Sequence, residues 1–223
     1  MSRPVNADAD KTRNRILESA TVLFAERGVG STSVRDVASK ANVSLAMVSH
    51  YFGGKGGLYD ACVEAMFAEL SSMREILAIE LELDSEKSAP LEELFALAVH
   101  VMFRFACDHR TAVRLLIRDA VSTGEVSPTG RKMLLETMKM ITDALALRLG
   151  RPAIELRLPL QSIVFLIARY AAQAEGELCV VAGFSAREKE KARAAVEAHL
   201  VEVALGLLGM NVTRRVTTRK RGA

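Results

Sequence analysis

The sequence predicts an all-α protein, and three observations carry that expectation. Alternating apolar and polar patterns are absent, apolar residues recur at three- and four-residue spacing, and glycine and proline are confined to a few breaks. Helix length then divides the chain, since four short helices fit within about sixty residues and longer ones follow from Ser88 onward. The expected organisation is one domain over residues 9–69, a second over residues 70–210, and a basic, disordered tail over residues 211–223. A continuous or nearly continuous helix joins the two domains.

A first helix fits Thr12 to Arg27, with Ile16, Ala20, Leu23 and Phe24 on one face and Gly28 as the stop. Ser33 with Asp36 three residues on forms a capping box, which opens a short second helix carrying Val34, Val37 and Ala38. Asn42 marks a tight turn, because asparagine tolerates left-handed backbone better than most residues with a Cβ. Ser44 caps a third helix, Leu45 to Tyr51, and a fourth runs from about Gly57 into the seventies. Longer helices are expected over Pro90 to Cys107, Arg110 to Ser122, Thr129 to Leu149, Leu156 to Val181 and Arg187 to Leu208. A second capping box, Ser185 and Glu188, opens the last of them. Breaks fall at Gly124 to Pro128, Gly150-Arg151-Pro152 and Gly183.

Of the 223 residues half are apolar and 26% charged, the composition of a globular protein in water. No apolar run follows the positive charge at the start of the chain. The longest apolar stretches, such as Leu158 to Ala168, are interrupted by Gln161 and Ser162 and fall short of the ~18–20 residues of a membrane span. A cytoplasmic location without membrane association is expected. Cys62, Cys107 and Cys179 lie far apart and are odd in number, which fits buried thiols in a reducing compartment. The net charge of +3 is unevenly spread: +2 over Met1–Asp60, −4 through the middle and +5 from Asn211 onward. Positive ends on a mildly negative body point to an anionic partner.

The segment SHYFGGKGGLYDA, Ser49 to Ala61, frames Lys55 with two glycine pairs and suggests a phosphate contact. A nucleotide-binding P-loop requires G-x-x-x-x-G-K-[ST] between a strand and a helix, whereas Gly56 occupies the hydroxyl position and the preceding segment is helical. Helix-turn-helix spacing fits better. Ala38, four residues before Asn42, lets two helices cross closely, and Val43 and Val48 point inward to fix their angle. The second helix then exposes Leu45, Ala46, Met47, Ser49 and His50, a surface of the kind that enters a DNA major groove. Base contacts there would use apolar patches against thymine methyls and hydrogen bonds from Ser49 or His50, with Arg35 as a candidate bidentate guanine contact. Ser33 and Ser44, at the starts of the two helices, complete the DNA-facing set. On spacing alone, a helical protein-interaction module without specific DNA binding is the alternative.

The stretch TRNRILESATVLFAERGVGSTSVRDVASKANVSLAMVSHYFGGKGGLYDACVEA resembles the DNA-binding domain of the TetR (tetracycline-repressor) family of bacterial transcriptional regulators. The pattern lies in Ile16-Leu17, Ala20, Leu23-Phe24 before Gly28, Thr32 to Ala38, Val43-Ser44, Tyr51-Phe52, Lys55 and Leu58, about a quarter of the chain. Departures stand at Asn42, Ala46, Ser49 and Gly56, where a turn glycine, a glycine, a tyrosine and an acidic residue are frequent in the family. The resemblance implies an N-terminal helix-turn-helix DNA-binding domain and a larger C-terminal helical ligand-binding and dimerisation domain. It also implies that Tyr51 and Lys55 hold DNA phosphate, and that the protein is a dimeric repressor released from a near-palindromic double-stranded operator by a small ligand.

In the larger domain, His100, Phe103, Arg104 and Cys107 on one helix, Met133 and Met138 on another, and Arg169 are candidates to line a pocket for a small apolar or amphipathic ligand. An inward His100 or Arg169 would need a polar partner, which a ligand could supply. The last two long helices carry Leu160, Ile163, Ile167, Tyr170, Ala174, Val196, Leu200 and Val203 at three-four spacing. Pairing with a symmetry mate through these residues would give the four-helix bundle of a homodimer. No catalytic residues, metal site or cofactor are expected, because His50, His100, His109 and His199 lack metal-ligand spacing and no C-x-x-C or G-x-S-x-G motif occurs.

Overall fold

The computed structural model describes residues 5–83, 90–125 and 127–210, with the side chains of residues 5–7, 73–83 and 123 left outside that description. The basic tail expected at 211–223 lies outside the described residues. Within them the chain is helical and strand-free, in the order α1 (Val5–Arg27), α2 (Val34–Lys40), α3 (Leu45–Phe52), α4 (Lys55–Leu83), α5 (Leu91–Asp108), α6 (Arg110–Thr123), α7 (Pro128–Leu149), α8 (Ala153–Ala171), α9 (Glu175–Val181) and α10 (Lys189–Leu207).

Two apolar clusters organise these helices. The first gathers Ile16, Ala20 and Phe24 of α1, Val37 of α2, Val48 of α3 and Leu58 and Val63 of α4, and reaches Phe105 of α5 and Leu115 of α6. The second joins Phe103 of α5, Met138 of α7, Leu156 to Ile167 of α8 and Leu200 to Leu208 around α10. Helix α4 runs through residues 69 and 70 as one 29-residue helix. Helix α6 lies across α1 and touches α8, so it borders both clusters.

Several element boundaries differ from expectation: α1 begins at Val5, ahead of Thr12, and α8 at Ala153, ahead of Leu156. The helix expected over Leu156 to Val181 is two helices, α8 and α9, separated at residues 172–174. Arg110 Nε donates to the carbonyl of Ala171 at 2.9 Å and Arg114 Nε to that of Ala172 at 2.7 Å. Ala174 is extended at φ −65°, ψ 149° and begins α9. Carbonyls that a continuing helix would offer to its own next turn are thus taken by side chains of another helix. The Ser185–Glu188 pair does form, with Ser185 Oγ donating to Glu188 Oε2 at 2.8 Å, but it closes a separate turn and α10 begins only at Lys189. Helix α4 starts two residues before Gly57, because the N–H of Leu58 already donates to the carbonyl of Gly54 at 3.0 Å.

Candidate nucleic-acid interface

The loop after α1 turns on Gly28, at φ +85°, whose N–H donates to the Phe24 carbonyl at 2.9 Å. Thr32 is buried and folds back on that helix end, its Oγ1 donating to the carbonyls of Gly28 at 2.9 Å and Leu23 at 3.3 Å. The next residue opens α2 with a complete capping box: Ser33 Oγ accepts from the Asp36 N–H at 3.2 Å, and Asp36 Oδ2 accepts from the Ser33 N–H at 2.9 Å. Hydrogen bonds donated to it by the Ser33 hydroxyl and N–H hold the Asp36 carboxyl below the usual carboxylate range.

Asn42 takes the left-handed conformation, φ +52°, alone among the described residues that are not glycine. The N–H of Val43 then closes onto the Ala38 carbonyl at 3.0 Å, and Ala38 and Ala41 are buried where α2 and α3 meet. Ser44 Oγ accepts from the Met47 N–H at 3.2 Å and caps α3. Val48 is fully buried and Phe52 nearly so, which pins α3 along one face. Its other face bears Leu45, Ala46, Met47, Ser49 and His50, all exposed, at 40% for Leu45 and 38% for Met47. Short apolar side chains on a pinned helix, left in water, are available to contact another surface. Arg35 is exposed on α2 beside them.

Tyr51 is half-buried between the rings of His50 and Phe52, with centroids 5.7 and 6.1 Å away. Phe52 in turn carries the Arg13 guanidinium 5.5 Å above its ring. Gly53 ends α3 at φ +71° and Gly54 follows at φ +144°. A Cβ on Gly57 would lie inside the contact distance of the Phe52 carbonyl oxygen, so a glycine is what lets α4 start against the end of α3. Lys55, at that start, donates from Nζ to the Gly30 carbonyl at 3.3 Å, spanning from α4 to the loop before α2.

Two further contacts, which the sequence reading did not anticipate, hold α1 and α4. Arg118 Nη1 on α6 donates to the carbonyls of Glu26 at 2.7 Å and Ala25 at 3.3 Å, and Tyr59 of α4 donates to Asp119 Oδ2 at 2.7 Å. Burial and the Asp119 carboxylate push the Tyr59 phenol well above its ordinary range, so it remains a donor at neutral pH. The visible signal was the spacing Arg110, Arg114, Arg118, which repeats every four residues on one helix face.

The seven candidate pocket residues fall into separate environments. Phe103, Cys107 and Met138 belong to the second cluster, and burial pushes the Cys107 thiol up. His100 Nδ1 lies 3.0 Å from Glu197 Oε2 and Arg104 Nε donates to Glu197 Oε1 at 3.2 Å, Glu197 being buried on α10. His100 therefore finds its polar partner in the chain itself, and Arg169 is exposed rather than inward. Met133 lines a cavity of about 170 Å³ with Phe67, Ser71 and Met140, between α4 and α7.

The dimer-face expectation needs a correction. Leu160, Ile163, Ile167, Val196 and Leu200 are each at most 6% exposed and pack within the protomer's own core. Tyr170 and Val203 are half-buried, and only Ala174 is exposed. The three-four spacing described the inward face of α8. Its outward face bears Leu158, 78% exposed, and Phe165, 62% exposed.

A capped, outward-facing second helix behind a left-handed turn is the geometry of a helix-turn-helix DNA-binding domain. Residues 16–62 match the family model described as bacterial regulatory proteins, tetR family. The probable HTH-type transcriptional regulator YttP of Bacillus subtilis is 33% identical over 117 residues, 50% of this chain and 56% of that one. The HTH-type transcriptional regulator AcrR of Shigella flexneri is 28% identical over 65% of this chain and 67% of its own. The first match thus spans little more than half of that relative. Among solved structures, a TetR-like transcriptional regulator from Rhodococcus superposes with a TM-score of 0.61 at 21% identity, covering 94% of this chain and 99% of that one. The ketosteroid transcriptional regulator KstR2 of Mycobacterium tuberculosis gives 0.60 at 20% identity, covering 87% and 93%. Residues 16–62 thus carry the DNA-binding domain of tetR-family regulatory proteins, and the fold matches that of solved TetR-like regulators along nearly the whole chain.

Proposed function

We propose that the protein is a sequence-specific transcriptional repressor that binds a near-palindromic operator as a dimer and is released from it by a small apolar or amphipathic ligand. One observation carries the reading: α3 is fixed by Ser44, Val48 and Phe52 while Leu45, Ala46, Met47, Ser49 and His50 stay in water. Such a face is polar enough to stay soluble and carries no acidic residue to repel DNA. Arg35 would read a guanine edge, Ser33, Tyr51 and Lys55 would hold phosphates, and the start of α4 would offer its free N–H groups to a phosphate. The protein has no catalytic role in this reading. Among the described residues, no helix is long and apolar enough to cross a membrane and no cluster of three metal-ligating side chains occurs.

Dimerisation through the outward faces of α8 and α10 would cover Leu158 and Phe165 and leave Leu160, Ile163, Ile167, Val196 and Leu200 inside each protomer. The cavity beside Met133, Phe67 and Met140 is the candidate ligand site. Its size is below the ~300–1,000 Å³ of pockets for drug-sized ligands, so an occupant is small or opens it.

Selection of bound fragments from random double-stranded DNA tests the reading. Enriched sequences should form an inverted repeat with half-sites about one helical turn, or a multiple of it, apart. Recovery of no enriched sequence would overturn it.

A further inference from the structure

Helix α6 holds the ends of two other helices with one row of side chains. Arg110 and Arg114 donate to the last carbonyls of α8, and Arg118, one step further along the same face, donates to the last carbonyls of α1. A helix C-terminus presents unpaired carbonyls and partial negative charge, so each arginine satisfies acceptors and meets a favourable field. The guanidinium does this as a planar fork, which fixes direction as well as distance. Space around the Arg118 contact is tight: a Cβ on Gly28 would come 3.2 Å from Arg118 Nε.

Asp119, the next residue, faces the other support of the helix-turn-helix. It accepts from Tyr59 of α4, and the Tyr59 ring stands edge-on to Phe24 of α1 with centroids 6.2 Å apart. Helices α1 and α4 flank α2 and α3, and Phe24 lies fully buried between them. Arg118 and Asp119 therefore grip, from one turn of α6, both helices that carry the recognition helix. The arginines at the other end of the row grip α8, whose outward apolar face is the proposed dimer surface.

We propose that Arg118 and Asp119 are positioning residues: they set the orientation of the DNA-binding unit relative to the larger helical body, and through it the separation of the two recognition helices on DNA. Both act through α1 and α4 and not through the exposed face of α3. The consequence for binding rests on the operator-binding reading, whereas the orientation itself does not.

The test compares full-length protein with Arg118→Met, which keeps the aliphatic stem, and with Arg118→Lys, which keeps a cation at the end of α1. The first readout needs no DNA. Spin labels on cysteines introduced at the exposed positions Ser39 of α2 and Glu177 of α9 report an intramolecular distance distribution, with labelled chains diluted into unlabelled ones. The distribution should be narrow in the otherwise native protein, broad in Arg118→Met and partly narrowed again in Arg118→Lys. A distribution in Arg118→Met that matches the native one in centre and width overturns the proposal.

The second readout is binding to selected operators whose half-site spacing is varied by one base pair either way. Arg118→Met should lose about tenfold in affinity for the preferred spacing, a difference of ~1.4 kcal/mol. It should also discriminate less between spacings, with the slope of log affinity against log salt unchanged. A slope lowered by about one would place Arg118 on a phosphate and overturn the positioning role. Failure of the native protein to select any operator would defeat the repressor reading, while the distance measurement would still decide this one.

Discussion

At the scale of single residues, Thr32 carries more of the domain's order than its chemistry suggests. It is buried, and its hydroxyl is the donor to two carbonyls at the end of α1. Thr32→Val preserves the shape and removes the donor, which leaves buried acceptors unpaired at a cost of about 1–3 kcal/mol. For a chain of this size the loss should appear as a fall of a few degrees in melting temperature, roughly 2–4 °C per kcal/mol. A melting temperature within error of the native value would refute the account. Lys55 and Arg35 make a second, paired case. Lys55→Ala should weaken binding to all DNA sequences alike and lower the salt slope by about one, while Arg35→Ala should relax preference at one operator position. Lys55 also reaches the Gly30 carbonyl, so its variant should loosen the loop before α2. An unchanged salt slope for Lys55→Ala, or an unchanged base preference for Arg35→Ala, would assign these side chains to folding alone.

At the scale of elements, the junction between α3 and α4 depends on glycines for two different reasons. Gly53 sits at φ +71° with open space around its missing Cβ. Gly53→Ala should therefore cost about 1–2 kcal/mol of backbone strain and leave the packing alone. Gly57 has the opposite problem, because its Cβ would strike the Phe52 carbonyl. Gly57→Ala must push α4 away from α3, and should reduce operator affinity by more than its effect on thermal stability accounts for. Equal loss of affinity per degree of melting temperature in the two variants would show that the junction geometry does not matter to binding. The sequence made this region readable because its signals are local: the Ser33–Asp36 box, the Ser44 cap and Asn42 in the left-handed turn each act within a few residues. The break between α8 and α9 was not readable in the same way. Its cause is Arg110 and Arg114, about sixty positions away, and no turn residue marks the site. The Arg118 contact, reaching across 92 positions to Glu26, was hidden for the same reason.

At the scale of the whole molecule, periodicity identifies that a helix face is apolar but not which body covers it. The stripe Leu160, Ile163, Ile167 was legible in the sequence, and its use inside the protomer was not, since a core and an interface make the same demand on spacing. The exposed face of α8 separates the two. Leu158 and Phe165 lie seven residues apart, two turns of one stripe, with most of their surface in water. If the outward faces of α8 and α10 form the contact between two copies, Leu158→Asp together with Phe165→Asp should leave the helical circular dichroism intact. The same pair of changes should convert a dimer into a monomer in sedimentation at micromolar concentration. Operator affinity should then fall sharply, because each half-site would be bound alone and the second contact would lose its effective concentration. The control is Leu147→Asp on α7, 87% exposed and outside the two helices of the proposed contact. A double variant that stays dimeric would move the interface elsewhere. A native chain that sediments as a monomer at that concentration would remove the two-fold arrangement on which the reading of a palindromic operator depends.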